Sequence, residues 1–339
     1  MISFRHLLLG LSLPLALSIV PASEAAQAKK RILFFTKCSN YEHSVVHEDK
    51  GQTTFAGKVL LEYGAQHDIE FVLSKDGSLF TPEYLAQFDA YFFFTSGDLS
   101  AKGKDGNPPI SAAGKQALLD AIKGGKGFIG THSASDTYHF GETPETNTSV
   151  ARTWRYRNLG DKTDPYARML GCEFIMHGTQ QIARAYSVDQ KFPGMAKVGK
   201  EINRQEEWYS MTDFSEDLHV LLVMDASSVK DPYPGTKDWP PKDYNTPYKR
   251  PNYPNTWVHL YGQGRVFYSS LAHREDTWLS PEFQSMLFGG VEWSLRRKEA
   301  DVTPNIKTVT PDAWRLPPVS APVPTLPPGV DGMGSVKKT

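Results

Sequence analysis

The chain has 339 residues with 37 basic and 38 acidic side chains, a formal net charge of -1. No stripe of Lys or Arg stands out from that balance, which argues against a nucleic-acid partner. Two cysteines, Cys38 and Cys172, are too few for a disulfide framework, so both are expected as free, buried thiols.

Residues 1–28 read as a secretory signal peptide. Arg5 and His6 precede an apolar run, 7–20, and Ala26-Gln27-Ala28 fits a small-residue cleavage site. The run is too short to span a bilayer, and no later segment is long and apolar enough. The expectation is an exported protein, periplasmic or secreted, with no membrane span.

The segment 31–36, "RILFFT", is continuously apolar and ends in a polar loop, as a strand covered on both faces does. Residues 55–64 have helical spacing and end on Gly64. Strands are predicted at 69–73 and 89–95. A helix over 111–125 has Ser111 as N-cap and glycines at its end. "GFIGT", 127–131, is the fourth strand. Alternating strands and helices imply a parallel doubly wound sheet.

In the second half, strands are predicted at 181–188, 218–224, 256–262 and 264–270. An amphipathic helix over 280–298 closes the fold, with Ser280 as N-cap and Pro281 at its first position. Residues 231–256 are proline-rich, and a segment of that length inside a domain is more often functional than idle. It is expected as an irregular loop on the rim of the site, offering Trp239, Tyr244 and Tyr248 for sugar stacking. Residues 301–339 carry repeated prolines and read as an extended tail, laid on the surface through Trp314 and Leu316. The division is thus a leader, 1–28, a domain, 29–300, and a tail, 301–339.

An open parallel sheet binds ligands beyond the carboxyl ends of its strands. There the chain places "TKCSNYEHSVVHE", "TSGD" and "THSASD", so three loops should meet in one crevice. Candidates are His43, Asp98, His132, Ser133 and Asp136. His132 alone is open to three readings: metal ligand, general base, or a satisfied structural histidine. Ser133 is a weak nucleophile candidate, because "GTHSA" lacks the last glycine of the G-x-S-x-G elbow. "GGKG" has neither the spacing nor the Ser or Thr of a phosphate loop.

Later segments add His177, Glu206, Glu207, Trp208, Tyr209 and His273. Imidazoles and carboxylates from separate loops can hold zinc or a similar divalent ion. The metal candidates are His132, His177 and His273. The structural alternatives are a solvated edge position for one of Glu206 and Glu207, and a plain loop position for His273.

With "RILFFTKCSNYEHSVV", "GKGFIGTHSASDT", "YARMLGCEFIMHG", "EEWY" and "GQGRVFYSSLAHRED" in order over 31–297, the chain resembles the ThuA-like (trehalose utilisation) family. That family is a branch of the class I glutamine-amidotransferase-like superfamily. The resemblance implies a flavodoxin-like, mostly parallel doubly wound sheet with added strands in the second half. It carries over onto His43, His132, His177, Glu207 and His273, with His47 competing for the place of His43. In related amidotransferases the turn after strand four holds a nucleophilic cysteine. Here His132 stands there, which implies that thiolate chemistry is lost.

The resemblance also implies a small carbohydrate substrate, a glycoside or 3-keto-glycoside. His132, Glu207 and Asp136 are the catalytic candidates. His43, Ser133, Asp98, Trp208, Tyr209 and Trp239 are the substrate-binding candidates. A ketone at C3 acidifies the C2 proton, so a base and a metal ion or imidazole could cleave the glycoside without a nucleophile. The alternatives are a non-catalytic carbohydrate-binding protein and a two-carboxylate glycosidase pairing Glu207 with Asp136 or Asp98.

Overall fold

The computed structural model describes Met1 and residues 29–103, 105–138, 158–230 and 248–316. The expected leader after Met1, the residues Trp239 and Tyr244, and the tail beyond Leu316 lie outside these.

The chain runs β1 (Lys30–Phe35), α1 (Phe55–Gln66), β2 (Ile69–Ser74), α2 (Pro82–Leu85), β3 (Ala90–Phe93), α3 (Ala112–Lys123) and β4 (Gly127–Thr131). There follow α4 (Pro165–Leu170), β5 (Glu173–His177), β6 (Gln181–Ser187), β7 (Glu201–Glu206), β8 (Tyr209–Thr212) and β9 (His219–Met224). The described chain ends with β10 (Tyr253–Tyr261), β11 (Gly264–Ser269), α5 (Glu275–Trp278), α6 (Pro281–Ser294) and α7 (Ile306–Val309).

Among the described residues, nine strands form one sheet in the order β2-β1-β3-β4-β11-β10-β9-β6-β7, and β5 pairs with β8 apart from it. The ladders are parallel from β2 to β11. From β11 to β7 they are antiparallel. The parallel character is therefore a property of one half, and β7 and the β5–β8 pair are strands that periodicity missed. The reason shows in β7, EINRQE, where Ile202 is the one apolar residue, so no apolar alternation signals a strand.

Layering follows from alternation along the strands. In β11, Phe267 faces α6, which approaches so closely that a Cβ at Gly290 would lie 2.4 Å from its ring. Tyr268, on the opposite face, meets Leu170 of α4 across Gly130. With both faces covered, Ile32 to Phe35 of β1 have no exposure, and all of β4 is buried. The helices start as their caps dictate: Thr54, Ser111 and Ser280 accept the N–H groups of Gly57, Gly114 and Phe283.

Two expectations are corrected. The proline-rich loop ends before Tyr253, because Tyr253 to Thr256 already belong to β10. Tyr248 is a buried hydrogen-bonding residue and offers no stacking face: its hydroxyl accepts from Gly178 N and donates to Trp208 O. The first part of the tail is also more than an extended strap. Asn305 holds the amide and carbonyl of Val220 through its side chain, and Ile306, in α7, is buried. Trp314 donates its indole N–H to Phe214 O. Among the described residues no helix is long and apolar enough to cross a membrane.

Candidate functional site

β4 ends in a sharp turn. His132, the first residue beyond the strand, has φ of 47° and opens a short 3-10 turn, His132–Ser135. A left-handed conformation is costly for a residue with a Cβ and persists where the surroundings over-determine it. They do so here. Tyr268 donates its hydroxyl hydrogen to His132 O at 2.8 Å, and His132 Nδ1 lies 2.9 Å from Ser270 O. A carbonyl only accepts, so Nδ1 carries the ring proton and Nε2 presents its lone pair. The turn has the strand-to-helix form of a nucleophile elbow with an imidazole in the nucleophile's place.

Three further loops bring groups to that lone pair. Glu207, between β7 and β8, sets Oε2 at 3.2 Å from His132 Nε2. His273, after β11, sets Nδ1 at 3.1 Å from both atoms. His43, after β1, sets Nε2 at 3.9 Å from Glu207 Oε2. The ligand atoms of His43, His132, Glu207 and His273 all lie within 4.8 Å of one another. His177, at the end of β5, is half-buried and meets the other oxygen, Nδ1 to Oε1 at 3.2 Å. It therefore stands beside the quartet, where His43 takes the place the sequence suggested for it. His47 is exposed and bonded to Glu42, away from this centre.

The loops are held from behind. Glu206 is fully buried, and its Oε1 accepts the backbone N–H groups of Ala272 and His273, while Oε2 accepts that of Glu207. Ala272 has φ of 103°, so those two bonds fix a strained turn that presents His273. Neither acid of the "EEWY" segment is a solvated edge residue. Ser44 donates to Glu275, joining the His43 loop to the His273 loop. Arg274 donates to Gln180 Oε1 at 2.8 Å, and Gln180 Nε2 lies 2.8 Å from His273 Nε2. Glu206 and Gln180 were not singled out as supports, since nothing local in the sequence ties either to His273.

Electrostatics divides the cluster. Burial pushes the His132 ring down to about 3, against the pull of Glu207. Burial also lowers His43 despite its carboxylate neighbour. Burial would raise Glu207, but the electrostatic pull of His177 and the close approach of the His132, His273 and His43 rings hold it well below the usual carboxylate range. For His273, burial opposes the charged ring, while Glu207, Glu206 and Glu275 favour it and raise it. The outcome is an anionic carboxylate facing a neutral imidazole lone pair, two acceptors 3.2 Å apart. His43 Nδ1 is buried with no partner, and its Nε2 is beyond hydrogen-bond range of Glu207.

This donor set fits a divalent ion. Zinc–nitrogen bonds of about 2.0–2.1 Å in a tetrahedron place ligand atoms about 3.3–3.4 Å apart. The separations of 3.1–3.9 Å about Glu207 Oε2 bracket that value, and the widest in the quartet, up to 4.8 Å, exceeds it.

The other candidates sit around the quartet in different ways. Tyr209 is buried and sets its hydroxyl 3.0 Å from His132 Nε2. Trp208 is buried and donates its indole N–H to Gln181 O, which makes it a packing residue with no free face. Ser133 is buried, its Oγ has no partner, and no base bonds to it. Asp136 is half-buried at the end of the elbow turn, and its charge adds to the burial that raises the Tyr209 phenol. Asp98 accepts locally from Ser100 and takes no part in the quartet. Trp239 lies outside the described residues. Cys38 is free, buried, and pushed up to about 12 by burial, so its thiol is no nucleophile at neutral pH. Cys172 is likewise free and buried.

The family model described as trehalose utilisation matches residues 31–294. No curated protein matches the chain. A solved ThuA-like protein from Bacteroides uniformis superposes with a TM-score of 0.54 at 14% identity, over 84% of this chain and 98% of that one. A second, from Parabacteroides merdae, gives a TM-score of 0.49 at 16% identity, over 81% and 93% of the two chains. At 14% identity the first of these likenesses speaks for the fold alone.

Proposed function

The chain belongs to the ThuA, trehalose-utilisation family, and from that premise we propose that it is an exported, metal-assisted enzyme acting on a glycoside or 3-keto-glycoside. The observation that carries this reading is Glu207 Oε2 within 3.1–3.9 Å of imidazole nitrogens from three separate loops. A divalent ion such as zinc, held there, supplies polarisation of a substrate ketone or hydroxyl. The leader-like residues 1–28 support export.

For a keto-glycoside the reaction balances as an elimination. A base breaks the C2–H bond, whose acidity comes from the neighbouring ketone. The electron pair forms the C1–C2 double bond, the C1–O bond breaks, and the departing oxygen takes a proton. Water adding to the unsaturated product completes a net hydrolysis. His177, half-buried beside the quartet, and Asp136, half-buried at the end of the elbow turn, are the candidate bases, and Tyr209 and His273 point hydrogen-bonding atoms at the quartet's centre. No acyl or thioester intermediate is needed, which suits a histidine at the elbow.

The test is metal analysis of the purified chain, then turnover of oxidised and unoxidised disaccharides with and without chelator. Chelator-sensitive release of the aglycone sugar from the oxidised disaccharide is the expected result. Zinc retention without turnover of any disaccharide would favour a carbohydrate-binding protein instead.

A further inference from the structure

Four groups surround the quartet's centre, but the hydrogen bonds behind them do not treat the four alike. His132 has its Nδ1–H committed to Ser270 O, which leaves Nε2 free to bind an ion. His273 is arranged the other way round. Its inward atom is Nδ1, and its outward atom, Nε2, lies 2.8 Å from the Gln180 side-chain nitrogen. A guanidinium can only donate, so Arg274 Nη1 at 2.8 Å requires the Gln180 oxygen on its own side. The Gln180 amide therefore turns its NH2 group to His273, and an NH2 group can only donate. His273 Nε2 must accept, and the ring proton is forced onto Nδ1. The inward nitrogen thus bears the ring hydrogen.

The geometry points to a three-ligand site, His43, His132 and Glu207, with an open fourth position, in which His273 is the hydrogen-bond donor facing that position and Gln180, anchored by Arg274, is the positioning residue that keeps it so. Three protein ligands with one open place is the arrangement of catalytic zinc sites, whereas four protein ligands close a structural one. The ligand count rests on the metal reading above; the place of the His273 proton does not. The occupant of the open position is an oxygen of a water molecule or of the sugar, which accepts from His273 Nδ1–H.

Nitrogen NMR of histidine-labelled full-length protein, chelator-treated and then titrated with zinc ion alone, tests the inference. In the wild type, His273 Nδ1 should show a protonated nitrogen before and after loading, while the Nε2 signals of His43 and His132 move on loading. His273→Ala should still take up zinc, with affinity lowered by no more than the roughly 10–100-fold of a lost outer partner. His132→Ala should lose it. Gln180→Glu, whose carboxylate accepts from both Arg274 and His273, should shift the ring proton to Nε2 and raise zinc affinity by about tenfold as a fourth ligand forms. Gln180 is exposed, so this variant should fold. A metal-bound His273 Nδ1 in the wild type would overturn the inference. So would loss of zinc from a folded His273→Ala as complete as from His132→Ala. If the wild type takes up no zinc, the metal reading fails by itself. The metal-free spectrum then still decides: a proton on Nδ1 upholds the role of Gln180, and a proton on Nε2 refutes it.

Discussion

Two buried histidines of this chain invite comparison, His132 at the end of β4 and His259 in the middle of β10. Both rings are enclosed, and burial depresses both, to about 3 and about 4. His259 donates to Met169 O at 2.9 Å from a regular strand position, and no side-chain hydrogen bond or ion pair reaches it among the described residues. His132 sits in a left-handed turn and turns its Nε2 lone pair toward a carboxylate, a tyrosine hydroxyl and two more imidazoles. Burial and a lowered pKa are therefore no mark of function. The marks are the strained backbone and the company of a carboxylate and imidazoles from separate loops.

The sharpest way to break that contrast is to remove each ring. His132→Ala should abolish zinc uptake and turnover while the circular dichroism spectrum stays that of the wild type. His259→Ala should keep zinc and turnover. A folded His132→Ala protein with full zinc content would erase the difference between the two sites.

The next effect is on stability and belongs to His259. Its folded pKa lies below the ordinary 6.5, so the unfolded chain binds the extra proton first as pH falls. Its contribution is complete above pH 6.5 and is lost as pH drops towards 4, an amount of about 3 kcal/mol. His43 and His132 act in the same direction, so the measurement is a difference. Urea-unfolding curves of His259→Gln should fall less steeply than the wild type between those pH values. Parallel curves would mean that the His259 ring is not held neutral.

Glu206 tests the support of the site as distinct from its ligands. Glu206→Gln keeps the shape but replaces one acceptor oxygen by an NH2 group facing backbone N–H donors. It should cost about 1–3 kcal/mol in urea unfolding and weaken zinc binding through the His273 and Glu207 loops. An unchanged zinc affinity would show that the quartet does not depend on that support.

The smallest effect should come from Cys38→Ser. Its thiol is buried, pushed up to about 12, and donates to Thr36 O at 3.5 Å. Zinc content and turnover should stay within about twofold of the wild type, since the residue lies outside the mechanism. A dead but folded variant would revive thiol chemistry on this scaffold.

Local pattern was enough wherever one segment carries its own physics. The apolar runs of β1, β3 and β4 can only be strands covered on both faces, and Ser111 and Ser280 announce their helices because a cap acts within three residues. The ordered blocks from "RILFFT" to "SSLAHRED" were likewise sufficient for the family. His132 could be placed at the elbow from "GTHSA" alone, since the turn follows its own strand. Local pattern failed at β7, at the β5–β8 pair and at the packing of residues 301–316, where pairing with distant strands decides the structure. It also could not sort the histidines. His43 and His47 share one loop, His177 and His273 lie far along the chain from it, and each has a plausible local role. Only the tertiary fold brings His43 to Glu207, leaves His47 beside Glu42, and puts Gln180 between Arg274 and the His273 ring. Ligand and donor differ by the position of one proton, and that position is set by hydrogen bonds between loops that no sequence spacing encodes.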